Sequence, residues 1–114
     1  MRIAKEELKG FADVERRICH TEEDLIEKLQ DADATISIFE PFTEHVFTAL
    51  PKLKFISVSG IGFNRVYTDV AAAHGVGVCN NPRYCVEEVA DRGATLICCL
   101  CRHIPDYIND VRRT

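Results

Sequence analysis

Residues 54–66 read KFISVSGIGFNRV. The run Lys54–Ser59 is apolar with small hydroxyls and little polar alternation, as in a parallel strand covered on both faces. Gly60-Ile61-Gly62 then turns the chain. A dinucleotide-binding turn would read G-x-G-x-x-G at the mouth of a βα unit. Gly60 and Gly62 fit the first two places, but Arg65 stands where the third glycine belongs. The stretch is a strand closed by a glycine turn, and a plain βα turn needing glycine for its backbone angles is the simplest reading.

Working outward, the same alternation of elements recurs. Ala34–Phe39 (ATISIF) is a β-branched run that predicts a strand. Val76–Cys79 predicts a third, short one. Between them, Pro41 and Thr43 open a helix with Val46, Phe47 and Leu50 facing inward and Pro51 ending it. After the glycine turn, Thr68 or Asp69 caps a short helix through His74, and Gly75 supplies its left-handed C-terminal position. Upstream, residues 4–12 read as a short helix and Val14–Cys19 as a possible edge strand. Thr21 caps a helix with Asp24 in the capping-box place and a stripe of Leu25, Ile26 and Leu29. Strands alternating with helices at this spacing imply βαβ units, a parallel sheet and the α/β class.

The last third is different. From about Val86, CVEEVADRGATLICCLCRH predicts one long helix, with Glu87 and Glu88 in a first turn whose dipole favours negative charge. Around Ala94–Cys101 it is apolar on every face, and such a helix needs cover on every face. Pro105 breaks or kinks it, and Asp106–Arg113 predicts a final helical segment.

Composition narrows the function. A chain of 114 residues with a formal net charge of −4 fits one domain and lacks the basic face that nucleic acid requires. No apolar run reaches a membrane span, and MRIAKEELKG has no signal-peptide core, so a soluble, cytoplasmic protein is expected. The six cysteines then read as small hydrophobes rather than a disulfide framework. On a continuous helix Cys99 and His103 would face the same way, which is half of a metal site. No second pair with metal spacing accompanies them, and no metal is expected.

Several segments together resemble the D-isomer-specific 2-hydroxyacid dehydrogenases, which use NAD or NADP. The carriers are DADATISIF, LPKLKFISVSGIGFNRV, AAAHGVGVCNNP, and VEEVAD followed by an apolar helix and RHIPDY, in the family's order and spacing from about Asp31 to Arg112. The resemblance implies a flavodoxin-like three-layer sandwich with a short parallel sheet. It implies a division into an incomplete substrate-binding lobe, residues 1–84, and a long interdomain or dimerisation helix, residues 85–114, that crosses to a second lobe in relatives.

The resemblance also implies a site. In relatives the glycine turn lies in the lobe cleft, where backbone amides accept the substrate carboxylate. By position those amides belong to Ile61 and Gly62, and Ile38 lines the same cleft. Val89 matches a position that touches the cofactor, usually through a hydroxyl that valine lacks. Asn64-Arg65 replaces the family's usual Asp-Asn, so the turn is either looser or capped by the Asn64 side chain.

The family's G-x-G-x-x-G, clamping arginine and acid/base histidine lie downstream of the matched segment in relatives. His20, His45, His74 and His103 read as surface or helix-end residues, and no catalytic residue is assigned. The expectation is a part of a 2-hydroxyacid dehydrogenase supplying half of a cleft for a small 2-hydroxy or 2-oxo acid. By itself it would be inactive, with no cofactor bound, and would form a homo-oligomer through residues 86–102. The alternative is a free-standing, non-catalytic module for dimerisation or small-carboxylate binding.

Overall fold

The computed structural model describes residues 2–113, and Met1 and Thr114 lie outside the described residues. Two compact units adjoin between Asn81 and Pro82.

The first unit is built on three parallel strands in the order β1-β2-β3: β1 (Ala34–Ser37), β2 (Phe55–Val58) and β3 (Gly77–Asn80). Ala34 pairs with Phe55 and Phe55 with Gly77, so all three strands start level. Each is four residues long; β1 and β2 are shorter than their apolar runs, and β3 is shifted one residue toward the C-terminus of its run. Helix α2 (Glu22–Leu29) leads into β1, and helices α3 (Glu44–Ala49) and α4 (Thr68–Ala73) occupy the connections between the strands.

Their apolar stripes meet one face of the sheet. Leu25 and Leu29 of α2, Val46 and Phe47 of α3, and Ala71 of α4 pack with Ile56 and Val58 of β2 in one cluster. Phe42, Leu50, Leu53, Val66 and Val76 close it from the loops. Each large side chain so buried contributes about 1.5–3 kcal/mol. Because successive strand residues point to opposite faces, Phe55 lies on the other face, where it is 42% exposed. The expectation that β2 is covered on both faces is therefore corrected. Its residues alternate, since the packed cluster meets only the Ile56 and Val58 side.

The capping signals locate α2 well. Thr21 is its N-cap, and its Oγ1 accepts from the Asp24 amide at 3.2 Å. The Asp24 carboxylate reaches back one residue further than a standard capping box, to the His20 amide at 3.1 Å. Helix α4 is capped differently from expectation. Tyr67 holds the N-cap, and Thr68 and Asp69 are already in the first turn. Gly75 takes the left-handed position, with φ +71.

Two upstream expectations fail. The first helix, α1 (Arg2–Glu7), starts earlier than residue 4 and gives way to turns before residue 12. Val14–Cys19 forms no strand. Side chains tie it down instead of a ladder: Arg17 bonds the Asp31 and Glu15 carboxylates and the Lys28 carbonyl, and the Lys28 ammonium bonds the Ile18 carbonyl at 2.7 Å.

The second unit is a helix pair. Helix α5 (Val86–Cys101) runs 16 residues and buries none of them, and α6 (Ile104–Arg113) follows. The break falls at His103, with φ +52, rather than at Pro105. Pro105 sits in the first turn of α6, where its missing N–H costs nothing. Since α5 ends before His103, the helical spacing that would have faced Cys99 toward His103 does not exist. His103 Nδ1 instead lies 3.2 Å from the Asp106 carboxylate, on the surface. Among the described residues no three His, Cys, Asp or Glu side chains converge as a metal site. No helix among them is long and apolar enough to cross a membrane.

Candidate functional site

The carboxyl ends of β1 and β2 lie side by side. Ser37 pairs with Val58, and the Ser59 amide donates to the Ser37 carbonyl at 2.7 Å. Crevices beyond the carboxyl ends of parallel strands are where open α/β sheets bind ligands. Ile38, Ile61 and Gly62 all fall in the two loops that leave these ends, and all are exposed.

The loops are joined again at their far ends. The Phe42 amide donates to the Arg65 carbonyl at 2.8 Å, and the Tyr67 amide donates to the Phe42 carbonyl at 3.0 Å. Phe42 and Val66, which form this parallel bridge, are both buried. Residues 38–41 and 59–65 are thus held between a sheet pairing and a buried bridge.

Within the second loop, the Gly60 amide donates to the Val58 carbonyl at 2.9 Å. The Gly60 carbonyl accepts from the Asn81 amide at 2.9 Å, and the Ile61 carbonyl accepts from Asn80 Nδ2 at 2.7 Å. Among the described residues the Ile61 and Gly62 amides donate to nothing. Successive free N–H groups in a turn make a concavity for an anion. The turn is closed by Asn80, and the Asn64 side chain, one of the two expected outcomes, makes no hydrogen bond among the described residues.

The glycines deserve a physical reason, and backbone angle is not it. Neither Gly60 nor Gly62 has a left-handed φ. A Cβ on Gly60 would meet nothing within 4 Å, and one on Gly62 would meet only Asn64 Oδ1, at 3.9 Å. The chain does not itself require glycine at either place. What the missing side chains leave is open space beside two free amides.

Glu40 is a residue of this edge that the sequence reading missed. Its carboxylate accepts from Ser37 Oγ at 2.5 Å, the Ile38 amide at 3.0 Å and the Phe39 amide at 3.1 Å. The Ile38 amide is therefore committed to Glu40, and Ile38 can line a cleft only with its side chain. The signal was local: a serine at a strand end with a carboxylate three residues on. Partial burial pushes the Glu40 carboxyl upward, but the bonds from Ser37 and the backbone outweigh it and leave it below the usual glutamate value. A carboxyl lowered on folding gives stability that is complete above its unfolded value and lost as pH falls through its folded value. Acid titration of the Ile38 and Phe39 amides is thus expected to show a midpoint below the ordinary glutamate range, and Glu40→Gln to abolish it. A midpoint at or above that range would contradict this account.

A depression of about 160 Å³ beside the turn is lined by Phe63, Thr68, Val78, Cys79 and Asn80. A larger one, about 530 Å³, lies along α5 and α6 between Asp91, Thr95, Cys98 and Arg102. It is an open groove along two helices, and the carboxyl edge of the sheet, with its run of successive free amides, is the better candidate. Val89 belongs to α5 and is exposed.

This fold and edge place the chain in a known class. Residues 1–94 match the catalytic domain of the D-isomer specific 2-hydroxyacid dehydrogenases, and the chain belongs to that family. It is 33% identical over 93 residues to the glycerate dehydrogenase of Methylorubrum extorquens, covering 82% of this chain and 30% of that protein. It is 29% identical over 89 residues to the glyoxylate reductase of Korarchaeum cryptofilum, covering 77% and 27%. The crystal structure of the PH0520 protein from Pyrococcus horikoshii superposes with a TM-score of 0.78 at 30% identity, covering 99% of this chain and 34% of that one. The chain thus spans under a third of the length of these two curated relatives.

A solved structure at 26% identity, the NAD-dependent formate dehydrogenase of Staphylococcus aureus, was determined in complex with NAD. The described residues do not fit a dinucleotide cradle. Arg65 replaces the third glycine, and the turn does not run into a helix until Thr68, later than a dinucleotide turn requires. Val89 has no polar side-chain atom to offer.

Proposed function

We propose that residues 1–84 are the substrate-binding half of a D-2-hydroxyacid dehydrogenase cleft, and that the Ile61 and Gly62 amides bind the carboxylate of a small 2-hydroxy or 2-oxo acid. The observation that carries this reading is the run of successive free amides that begins with Ile61 and Gly62, beside two glycines that the backbone does not need. Ile38 supplies apolar surface to the substrate from β1's end. Glyoxylate and glycerate, the compounds in the names of two relatives, are the first substrates to try. NAD or NADP serves the reaction in this reading, but the described residues supply no cradle for it beyond contact at Val89. The reading includes a cytoplasmic setting and a homo-oligomer formed through residues 86–102.

Two amides without a clamping cation should hold a small carboxylate at about millimolar Kd, near −4 kcal/mol. Titration with glyoxylate is expected to move the amide resonances of Ile61 and Gly62 first and those of α2 not at all. The same chain mixed with NADH or NADPH and 2-oxoacids is expected to give no turnover above the buffer blank. Movement confined to distant amides, or turnover abolished by substitution within these residues, would refute the assignment.

A further inference from the structure

We propose that Asn80 is a positioning residue that sets the direction in which the Ile61 and Gly62 amides point. The argument starts from the planarity of the peptide bond. No described peptide bond is cis, and in a trans peptide the C=O and the following N–H point in opposite directions. Gly60 C=O and Ile61 N–H share one such unit, and Ile61 C=O and Gly62 N–H share the next. Both carbonyls are held from the end of β3, the first by the Asn81 amide at 2.9 Å and the second by Asn80 Nδ2 at 2.7 Å. Fixing both oxygens toward β3 turns both N–H groups away from it.

The two tethers differ in kind. The Gly60 carbonyl is held by backbone, which any residue at 81 supplies. The Ile61 carbonyl is held by a side chain, and only a donor of this length at 80 reaches it. Asn80 is half-buried at the last position of β3, whose pairing of Asn80 with Val58 fixes its place in the sheet. Without its amide group, nothing described here holds the second peptide plane, and the Gly62 amide is free to rotate out of line with that of Ile61. A carboxylate that needs both donors would then meet one.

The consequence for binding rests on the proposed carboxylate site, but the orientation itself does not, so the experiment reads the two separately. Asn80→Asp keeps the size and removes the donor, Asn80→Ala removes both, and Asn81→Ala leaves the backbone donor in place. In the full chain without ligand, Asn80→Asp and Asn80→Ala are expected to shift the Ile61 carbonyl and Gly62 amide resonances while the α2 and α3 resonances stay fixed. Asn81→Ala should move neither. On titration with glyoxylate, both Asn80 variants should bind about tenfold more weakly or worse, as expected for losing one hydrogen bond to a charged group. Unmoved Ile61 and Gly62 resonances in Asn80→Asp would overturn the proposal, as would unchanged glyoxylate affinity once they have moved. If the unsubstituted chain ignores glyoxylate, the carboxylate reading fails, and the ligand-free resonances alone decide for or against Asn80.

Discussion

Phe42→Ala is expected to cost about 3–5 kcal/mol of folding stability, as for other buried aromatic side chains cut to alanine. The ring is fully buried and lies 6.2 Å, centroid to centroid, from that of Phe47. Phe47 in turn stacks on His74 at 6.0 Å, so the cavity would open beside a ring that ties α3 to the end of α4. Domains of this size hold only about 5–15 kcal/mol in total, so the substitution would remove a large share of the stability. The effect reaches the site because Phe42 is also the backbone bridge to Val66. Alanine could still make both bridge hydrogen bonds but would no longer anchor them in the core. Urea unfolding followed by circular dichroism should show the midpoint falling by roughly 1 M or more. Phe39→Ala provides the contrast, since Phe39 is 74% exposed on the same loop. Equal midpoints for the two variants would show that Phe42 does not anchor the loops.

What could be read from sequence follows the range of the interactions. The cap at Thr21, the inward set Val46, Phe47 and Leu50, and the C-terminal glycine at Gly75 each depend on residues within a turn or two, and each is found where the pattern puts it. The three strands follow from short β-branched runs between turn signals. Val14–Cys19 alternates poorly for a strand, and its charged side chains, not a ladder, fix it in place. Arg17 and Lys28 satisfy partners 10 to 14 residues apart, a geometry no local window contains. The site divides in the same way. The glycines are visible, but the tether from Asn80 to Ile61 spans 19 residues and exists only once β3 has paired with β2. Glu40 lies within the local range, three residues from the Ser37 hydroxyl that it accepts from.

Self-association through α5 is the other large effect expected. Val89, Leu96 and Leu100 lie along one side of the helix at spacings of seven and four, with Gly93 between, and Ile97 flanks them. Leu96, Ile97 and Leu100 are 53%, 63% and 68% exposed, and no residue of α5 is buried. Covering even three such side chains returns roughly 5 kcal/mol, at about 1.5–3 kcal/mol each. A dimer places the same stripe on both partners, so that gain doubles, and roughly 10 kcal/mol is enough to offset much of the entropy lost on association. Gly93, at the middle of this side, allows two helices to approach closely. Light scattering at micromolar concentration should therefore report a dimer or larger. Leu96→Glu with Leu100→Glu places two charges on the seam and should dissociate it, leaving the resonances of the first unit in place because its core draws nothing from α5. A folded monomer over the same concentrations, indifferent to both substitutions, would mean that this stripe is not a seam between copies.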